Sequence, residues 1–349
     1  MKGHKAMTTV SNIPKVQRIS GTNMAIRLAR FREIGIILLL ILIVLGASVV
    51  EPSFLKPFNI RTIFLWLPLL TVIAMGEVMV IITKGIDVSV GSTMALAGIS
   101  VGMIWRQNPS FNIYASTGLA ILIGLAAGAL NGALIAWAKL PPIIATLGTL
   151  NAYRGLTFIV SGGRQIDPNY VPRKIIFWSI KGPFGNEMVP WVVVIAFFIT
   201  VVTWAFLHYT VTGRNIYAIG GNLNASRLRG VPVEWTIFLV YTITGALAGF
   251  SGILYASRFG FVNPGETGVG FELTVIAAVV IGGTSMFGGS GSAFGVFIGC
   301  LLLAVINVAL AVLGVAATWQ LAVYGAVILL AAIADALIQL KLRRAITGE

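Results

Sequence analysis

Charged residues are scarce in this chain of 349 residues: they make up 10% of it, whereas soluble domains carry about 25%. The chain has a single cysteine, Cys300, and two histidines, His4 and His208, which lie far apart in sequence. A disulfide within the chain and a metal site built on cysteine or histidine are therefore excluded. Hydrophobic residues make up 57% and the mean hydropathy is +0.94, which predicts that the chain lies in a lipid bilayer.

Several motifs of catalysis and nucleotide binding are absent from the sequence. There is no G-x-x-x-x-G-K-[ST] phosphate-binding loop, and no Gly-Lys dipeptide at all. An H-E-x-x-H motif, a potassium-filter loop and an arginine-rich voltage helix are also lacking. We therefore expect no catalytic residue, no metal and no cofactor bound by this chain, and any ATP hydrolysis would be the task of another subunit.

Long apolar runs separated by short polar breaks predict an all-α integral membrane protein with about ten transmembrane helices. The membrane domain is predicted over residues 34–340, between a basic tail, 1–33, and a short tail, 341–349. Residues 24–33 fit either a basic helix at the membrane surface or a disordered segment. The predicted spans are 34–50, 62–83, 88–105, 114–138, 142–162, 188–208, 233–257, 270–283, 291–313 and 318–338.

The net charge of +13 gathers in a few loops and in the tails. Most lysines and arginines fall in the first tail, in the loop 209–232 and in other segments of the same side. This bias predicts that both termini are cytoplasmic. The clustering argues against a nucleic-acid partner, since the charges serve the bilayer topology.

The most informative polar stretch is GRNIYAIGGNLNASRLRGVP, residues 213–232, which lies between two apolar runs. Asn224 and Gly230 predict a short helix with an asparagine N-cap and a glycine C-cap. A surface helix between two membrane spans is suited to transmit the movement of a soluble partner to those spans. The alternative is an ordinary cytoplasmic loop whose positive charge only sets the topology.

Four charged residues fall within the predicted spans or at their ends, where a charge is costly unless it is shielded: Glu77, Asp87, Arg154 and Glu272. One interpretation is that Glu77 or Asp87 pairs with Arg154 and fixes the helix packing. The other is that these groups line a polar path. Their scattered positions do not indicate a proton relay, which would need several acids at helical spacing or acids paired with histidine.

Two stretches rich in glycine and serine, 89–92 and 288–292, look alike, and each opens an apolar segment. Their likeness favours a diverged internal repeat with broken helices, a frequent feature of transporters. Two tight turns would explain it equally well. Glycines four residues apart at 124, 128 and 132, and again at 245 and 249, predict close helix contact.

The main outer loop, 163–187, contains prolines and aromatics that predict an ordered cap with a short helix. Its cations would attract an acidic extracellular partner, or would form a headgroup belt together with Phe177 and Trp178. These cations are Arg164, Arg173, Lys174 and Lys181.

A series of stretches in this order resembles the permease subunits of bacterial carbohydrate-uptake ABC transporters, the ribose, xylose and galactoside type. The resemblance covers about residues 34–340, and the details look most like the autoinducer-2 import permeases, with rhamnose-type permeases close. The stretches are GIDVSVGS (85–92), NGALIAW (131–137), PPIIATLGTLNAYRG (141–155), GRNIYAIGGN (213–222), ASRLRGV (225–231), AGFSGILYASR (248–258) and FELTVIAAVVIGGTSMFGGSG (271–291).

The resemblance implies a multi-pass permease subunit of the bacterial inner membrane that pairs with a second permease, identical or homologous. ATPase subunits that use ATP and Mg²⁺ would dock on the inner face, and an extracytoplasmic sugar-binding protein would deliver the ligand. That ligand would be a small sugar or sugar-like molecule: autoinducer-2, rhamnose or a pentose. The alternative, from a different class, is a secondary transporter driven by an ion gradient, which would depend on Glu77 or Asp87.

The resemblance also implies roles for particular residues. Coupling to the ATPase would involve Gly213, Arg214, Tyr217, Gly220, Gly221, Asn222, Asn224, Arg227 and Gly230. The translocation path would be enclosed by Glu77, Asp87, Ser89, Gly91, Ser92, Asn131, Thr146, Thr149, Asn151, Arg154, Glu272, Gly282 and Gly283. The binding protein would dock on Arg164, Arg173, Lys174 and Lys181.

Overall fold

The computed structural model describes residues 21–316 and, beyond them, residues 319, 322, 323, 325, 326, 329, 330 and 333; side chains are described from residue 35 onward, except at 184. This part of the chain is helical, with two 3-10 turns, Pro52–Leu55 and Pro183–Gly185, and an isolated bridge between Ile166 and Val262. The helices are α1 (Gly21–Val50), α2 (Pro57–Ile82), α3 (Val90–Gln107), α4 (Ile113–Ala136), α5 (Pro142–Ser161), α6 (Arg173–Ile180), α7 (Trp191–Tyr209), α8 (Val211–Gly221), α9 (Leu223–Leu228), α10 (Val233–Phe259), α11 (Phe271–Ile281) and α12 (Ala293–Val312).

Six helices are long and apolar enough to cross a membrane: α2, α4, α5, α7, α10 and α12. Two shorter apolar helices accompany them, Gly35–Val50 within α1 and α11. These helices confirm the prediction of an all-helical integral membrane protein. The last predicted span, 318–338, falls largely outside the described residues, and so do 1–20 and 341–349. The number of ten crossings, the domain boundaries and the side of the termini therefore stay predictions.

The backbone of residues 24–33 is helical and continues without a break into the first apolar segment. Of the two alternatives for this stretch, the helical one is therefore the one observed. The helix α1 ends at Val50, where Glu51 caps the following 3-10 turn by accepting a hydrogen bond from the Ser53 N–H at 3.1 Å.

Helix α2 forms the centre of the bundle. Its residues from Leu67 to Ile82 are all buried, and it packs against α7, α10, α11 and α12. A helix that is apolar on every side is stable only when neighbours or lipid cover it all round. The buried carboxyl group of Glu77 departs from the apolar character of this helix, so it needs polar partners on neighbouring elements.

The most extensive contact between two helices of the described chain is that of α4 with α10, and glycines line it. A Cβ atom on Gly124 would overlap the carbonyl oxygen of Gly245, and one on Gly249 would overlap that of Ala120. Small residues at four-residue spacing allow two backbones to approach in this way within a membrane. The prediction of close contact at these glycines is confirmed.

The two ends of the bundle are distinguished by their surface helices. We call the end that carries α8 and α9 the α8 end, and the opposite end, with α6 and the loop 163–187, the α6 end. The prediction of an ordered cap at the α6 end is confirmed, because Ser257 of α10 donates its hydroxyl to the Ile175 carbonyl at 2.7 Å. Arg61 also donates to the carbonyl oxygens of Ser179 and Ile180 at 3.2 Å.

Two of the helices begin inside the bundle. The segment 83–89 folds back along α2, since the Asp87 N–H donates to the Glu77 carboxyl group, and α3 begins only after it. The segment 260–270 also turns inward before α11, and its Gly268 meets Gly91 in the first turn of α3. Non-helical backbone is tolerated at membrane depth only where protein or water surrounds it.

The two Gly/Ser-rich stretches have different surroundings. Residues 89–92 are buried inside the bundle, whereas 288–292 form a turn at the α8 end, where Gly289 donates its N–H to the Ile82 carbonyl at 2.9 Å. The stretch 288–292 is thus a tight turn, as the second of the two explanations predicts. A diverged repeat of larger units stays a prediction.

Candidate functional site

The polar stretch 213–232 folds into two short helices, α8 and α9. Thr210 caps α8 through a hydrogen bond from the Gly213 N–H at 2.9 Å, and Asn222 caps α9 through one from the Ala225 N–H at 3.0 Å. The predicted cap at Asn224 was wrong. Asn222 has the extended backbone of an N-cap, whereas Asn224 already lies within the helix.

The end of α9 agrees with its sequence. The helix stops at Leu228, and Gly230 has a φ of +75°, the left-handed conformation that favours glycine after a helix. The predicted glycine cap at this position is confirmed.

Helix α8 is seated directly on the membrane helices. A Cβ atom on Gly220 would overlap the carbonyl oxygen of Ile82, the last residue of α2, and would press on the N–H of Gly289. The Tyr217 hydroxyl donates to the Gly291 carbonyl at 2.9 Å, and burial raises the pKa of this phenol, which stays a neutral donor. A displacement of α8 must therefore move the end of α2 and the turn 282–292.

The outward side of the same segment is exposed and basic. Arg214 and Arg229 are exposed, and Leu228 exposes 89% of its surface between Arg227 and Arg229. An apolar side chain so exposed within a basic surface is a candidate contact for another protein. Sequence reasoning missed Leu228, although a lone leucine between two arginines in a polar stretch was a usable signal.

Arg227 is not free at this surface. Its Nη2 lies 2.8 Å from Glu234 Oε1, and Lys139 Nζ lies 2.9 Å from the same oxygen. Both pairs are exposed, so each is expected to contribute little to stability. The remaining predicted residues of this region, Gly221 and Asn224, are exposed as well.

A ladder of buried hydrogen bonds joins α2, the segment 83–89, α4 and α5. Asp87 Oδ1 accepts the Ser89 N–H at 2.9 Å and the Ser89 hydroxyl at 2.6 Å. Asn131 Nδ2 donates to the Ser89 hydroxyl oxygen at 2.8 Å, and the Thr149 hydroxyl donates to Asn131 Oδ1 at 2.7 Å. We call Glu77, Asp87, Ser89, Asn131 and Thr149 the polar ladder.

Two further predicted residues flank the polar ladder. The Thr146 hydroxyl is within hydrogen-bond distance of the Ile86 carbonyl at 3.2 Å, and the Ser92 hydroxyl donates to the Ser89 carbonyl at 2.8 Å. The structure thus brings together seven of the thirteen residues that were predicted to enclose a path. They are Glu77, Asp87, Ser89, Ser92, Asn131, Thr146 and Thr149.

The predicted pairing of Arg154 with Glu77 or Asp87 was wrong. Arg154 Nη1 donates to the carbonyl oxygens of Pro264 and Thr267, at 3.0 and 2.8 Å. The reason is helical geometry: a residue five positions beyond Thr149 points to a different side of α5. The non-helical segment 260–270 has carbonyl groups without helical partners, and the guanidinium satisfies two of them.

Arg154, Glu272 and Gly91 form a second polar site at membrane depth. Arg154 interacts electrostatically with Glu272, and a Cβ atom on Gly91 would lie 2.7 Å from Glu272 Oε2. Unlike the members of the polar ladder, Arg154 and Glu272 are only half-buried. A half-exposed ionic site at this depth requires water or another protein chain next to it.

The other predicted path residues lie elsewhere. Asn151 is exposed on α5, and its amide donates to the Leu147 carbonyl at 3.0 Å. Gly282 packs against Val296 of α12, and Gly283 follows it. Gly282 and Gly283 border a cleft of about 610 Å³ at the α8 end, together with Trp204, His208, Tyr217, Phe294 and the turn 289–292.

The four predicted docking cations, Arg164, Arg173, Lys174 and Lys181, are all exposed at the α6 end. Arg173 and Lys174 open α6, whose Ile175 and Ser179 are buried against the bundle. The cations are thus carried on an anchored surface. Arg106 lies over the Tyr170 ring, 5.5 Å from its centroid, and adds to this positive surface.

The fold and these sites can be compared with known proteins. Residues 59–332 match the family model described as "Branched-chain amino acid transport system / permease component". The chain therefore belongs to this family of transport permeases. The family and the six apolar helices confirm a multi-pass protein of the bacterial inner membrane.

Individual relatives are similar over most of their length. The chain is 38% identical over 310 residues to the autoinducer 2 import system permease protein LsrC of Enterobacter sp. (strain 638), covering 88% of this chain and 87% of that protein. It is 35% identical over 321 residues to the ribose import permease protein RbsC of Escherichia coli (strain K12), covering 91% and 98%. These relatives confirm the resemblance to carbohydrate permeases of ABC transporters. No solved structure matches the chain.

Proposed function

We propose that this chain is the membrane-spanning permease subunit of an ATP-driven importer for a small sugar or sugar-like ligand, such as autoinducer-2, rhamnose or a pentose. The observation that carries the proposal is the similarity, over about nine-tenths of the chain, to permeases named for autoinducer-2 and for ribose. An extracytoplasmic binding protein would supply the ligand, and a separate ATPase subunit would hydrolyse ATP with Mg²⁺.

The ATPase would dock on the exposed side of α8 and α9. Leu228 would enter an apolar pocket, and Arg214 and Arg229 would make charge-assisted contacts with acidic groups around it. Arg227 would hold the shape of this surface through Glu234. Asn222 and Gly230 would do so as helix caps.

Movement would pass from α8 to the membrane helices through backbone contacts. Gly220 packs closely against Ile82, and Ile82 is followed directly by the segment 83–89, which carries Asp87 and Ser89 of the polar ladder. Because packed interfaces have few alternative arrangements, a push at α8 would select between two packings of the bundle. Differential nucleotide binding to the ATPase would supply the free energy.

The ligand would pass along the half-buried site of Arg154, Glu272 and Gly91. Polar groups that are exposed at membrane depth are expected to face water or another protein chain, and a surface shared with a second chain would supply both. The exposed face of α5 next to it carries Gly148 and Gly155, which leave open space, and Asn151. A second permease, identical or homologous, would pack on this face and enclose the path.

The test is uptake into proteoliposomes that contain this chain, candidate ATPase subunits and a binding protein. We expect uptake of labelled autoinducer-2, rhamnose or ribose that requires ATP on the side of the membrane where the ATPase subunits are bound. Collapse of the proton gradient should leave this uptake unchanged. Uptake by the chain alone under a proton gradient would contradict the proposal and favour the secondary transporter.

A further inference from the structure

Two carboxyl groups are enclosed together at the start of the polar ladder. Glu77 exposes 0% of its surface and Asp87 1%, and the Asp87 N–H donates to Glu77 Oε1 at 3.0 Å. Two ionised carboxylates enclosed side by side repel each other, and each also loses its hydration. Such a pair needs a compensating positive charge close by.

The basic residues of the neighbourhood point elsewhere. Lys84, in the same segment, packs its side chain against Gly288. Arg154 of α5 binds the segment 260–270 and interacts with Glu272 of α11. Among the residues that the structure describes, no lysine or arginine lies within ion-pair distance of Glu77 or Asp87.

The other titratable groups on the helices around the pair include a tyrosine, a cysteine and a histidine. Tyr153 of α5 interacts electrostatically with Asp87 and donates its hydroxyl to the Ala127 carbonyl at 2.8 Å. Cys300 of α12 lies beside Thr71, and His208 of α7 is bound to the Trp204 carbonyl near the α8 end.

The two carboxyl groups differ in their hydrogen bonds. Asp87 Oδ1 accepts two donors from Ser89, which suits an ionised carboxylate. Glu77 Oε2 has no hydrogen-bond partner among the described residues, and the same holds for the buried hydroxyl of Tyr241 on α10. This hydroxyl lies against Gly85 and within electrostatic reach of both carboxyl groups.

We propose that Glu77 and Asp87 form a proton-binding site that holds one proton, carried by Glu77, so that the pair has one negative charge. The neutral Glu77 accepts the Asp87 N–H through Oε1, and the ionised Asp87 accepts the donors of Ser89. The bound proton removes the repulsion between the two carboxyl groups, so the segment 83–89 can pack with Asp87 beside Glu77. This site is independent of the ligand and of the energy source of transport.

Infrared spectroscopy of the purified full chain in neutral buffer tests the proposal directly. We expect a carbonyl band of a protonated carboxylic acid that shifts in D₂O and disappears in Glu77→Gln. The matched control is Glu272→Gln, which removes a half-buried carboxyl and should leave the band in place. A band that survives in Glu77→Gln but is lost in Asp87→Asn would place the proton on Asp87 and overturn the assignment.

Thermal stability gives a second readout that does not depend on the band. Glu77→Gln keeps the shape and neutrality of a protonated glutamate, so its melting temperature should stay within about 2 °C of that of the native chain. Asp87→Asn should lower the melting temperature by about 5 °C or more. The asparagine amide would present the two donors of Ser89 with either an N–H₂ donor or a weaker acceptor. Equal losses in both variants would contradict the proposal. Absence of the acid band, together with a melting temperature that rises with NaCl or KCl but not with choline chloride, would show a metal cation instead.

Discussion

The segments 83–89 and 260–270 both lead into a helix that starts inside the bundle, but they are held in different ways. The first is bound on several sides by buried side chains: Glu77 of α2, Asn131 of α4 and Thr146 of α5. The second is bound at two carbonyl oxygens by a half-buried side chain, Arg154, and by backbone hydrogen bonds between Val262 and Ile166. The first segment is therefore suited to transmit force as a fixed joint, and the second to rearrange next to a path.

The largest effect is expected where the fixed joint loses its central acceptor. Asp87→Ala would leave the Ser89 N–H and its hydroxyl without their acceptor in a buried site. We expect a loss of about 3 kcal/mol in the free energy of unfolding, measured as a lower melting temperature of the detergent-solubilised protein. The control is Asp167→Ala in the loop at the α6 end, where the Asp167 carboxylate accepts a hydrogen bond from the exposed Gln165 side chain. If both variants melt alike, the segment 83–89 is not a fixed joint.

A smaller loss of stability, combined with a large loss of uptake, is expected at Arg154. Arg154→Ala removes two charge-assisted hydrogen bonds from a half-buried site, which should cost about 2 kcal/mol. Uptake should fall at least tenfold, because the segment 260–270 loses its hold beside Glu272. Arg164→Ala, an exposed arginine at the α6 end, serves as the control for both measurements. Normal uptake by Arg154→Ala would remove the distinction between the two segments.

The connection of the fixed joint to α8 can be broken without touching the exposed surface. Gly220→Val would push α8 away from Ile82, whereas Gly221→Ala places its methyl group in open space. We expect Gly220→Val to bind the ATPase with unchanged affinity but to lose most ATP-dependent uptake, measured with the two subunits in proteoliposomes. Gly221→Ala should behave like the native chain. Equal uptake by both variants would show that force does not pass through this contact.

The smallest effect is expected at the exposed ion pairs. Glu234 is shared by Lys139 and Arg227, so Lys139→Ala leaves one partner in place. The expected loss is below about 0.5 kcal/mol, and it should shrink further at high salt. Denaturation of the variant at low and high ionic strength measures it. A loss as large as that of Asp87→Ala would mean that exposed pairs, rather than the buried joint, stabilise the α8 end.

The sequence was sufficient to locate the apolar helices among the described residues, because apolar runs of about 20 residues have few alternatives to a membrane helix. It also found the residues of the polar ladder, since polar groups inside such runs are rare. It could not find their partners. Arg154 binds backbone carbonyl groups of a segment that is distant in sequence. No pattern of side chains predicts where a carbonyl group lacks a backbone partner. The N-cap of α9 was assigned to Asn224 instead of Asn222 because two asparagines two residues apart offered the same signal, and the backbone conformation decided between them.

The central claim is that α9 presents Leu228 to an ATPase while the opposite end receives a different partner. Site-directed cross-linking tests it most directly, because the natural cysteine, Cys300, is buried and the chain has no other. The account predicts that Leu228→Cys cross-links to the ATPase subunit, while Lys174→Cys at the α6 end cross-links to the binding protein and not to the ATPase. Cross-linking of the ATPase through residue 174, or of neither position in a complex that transports with ATP, would contradict it.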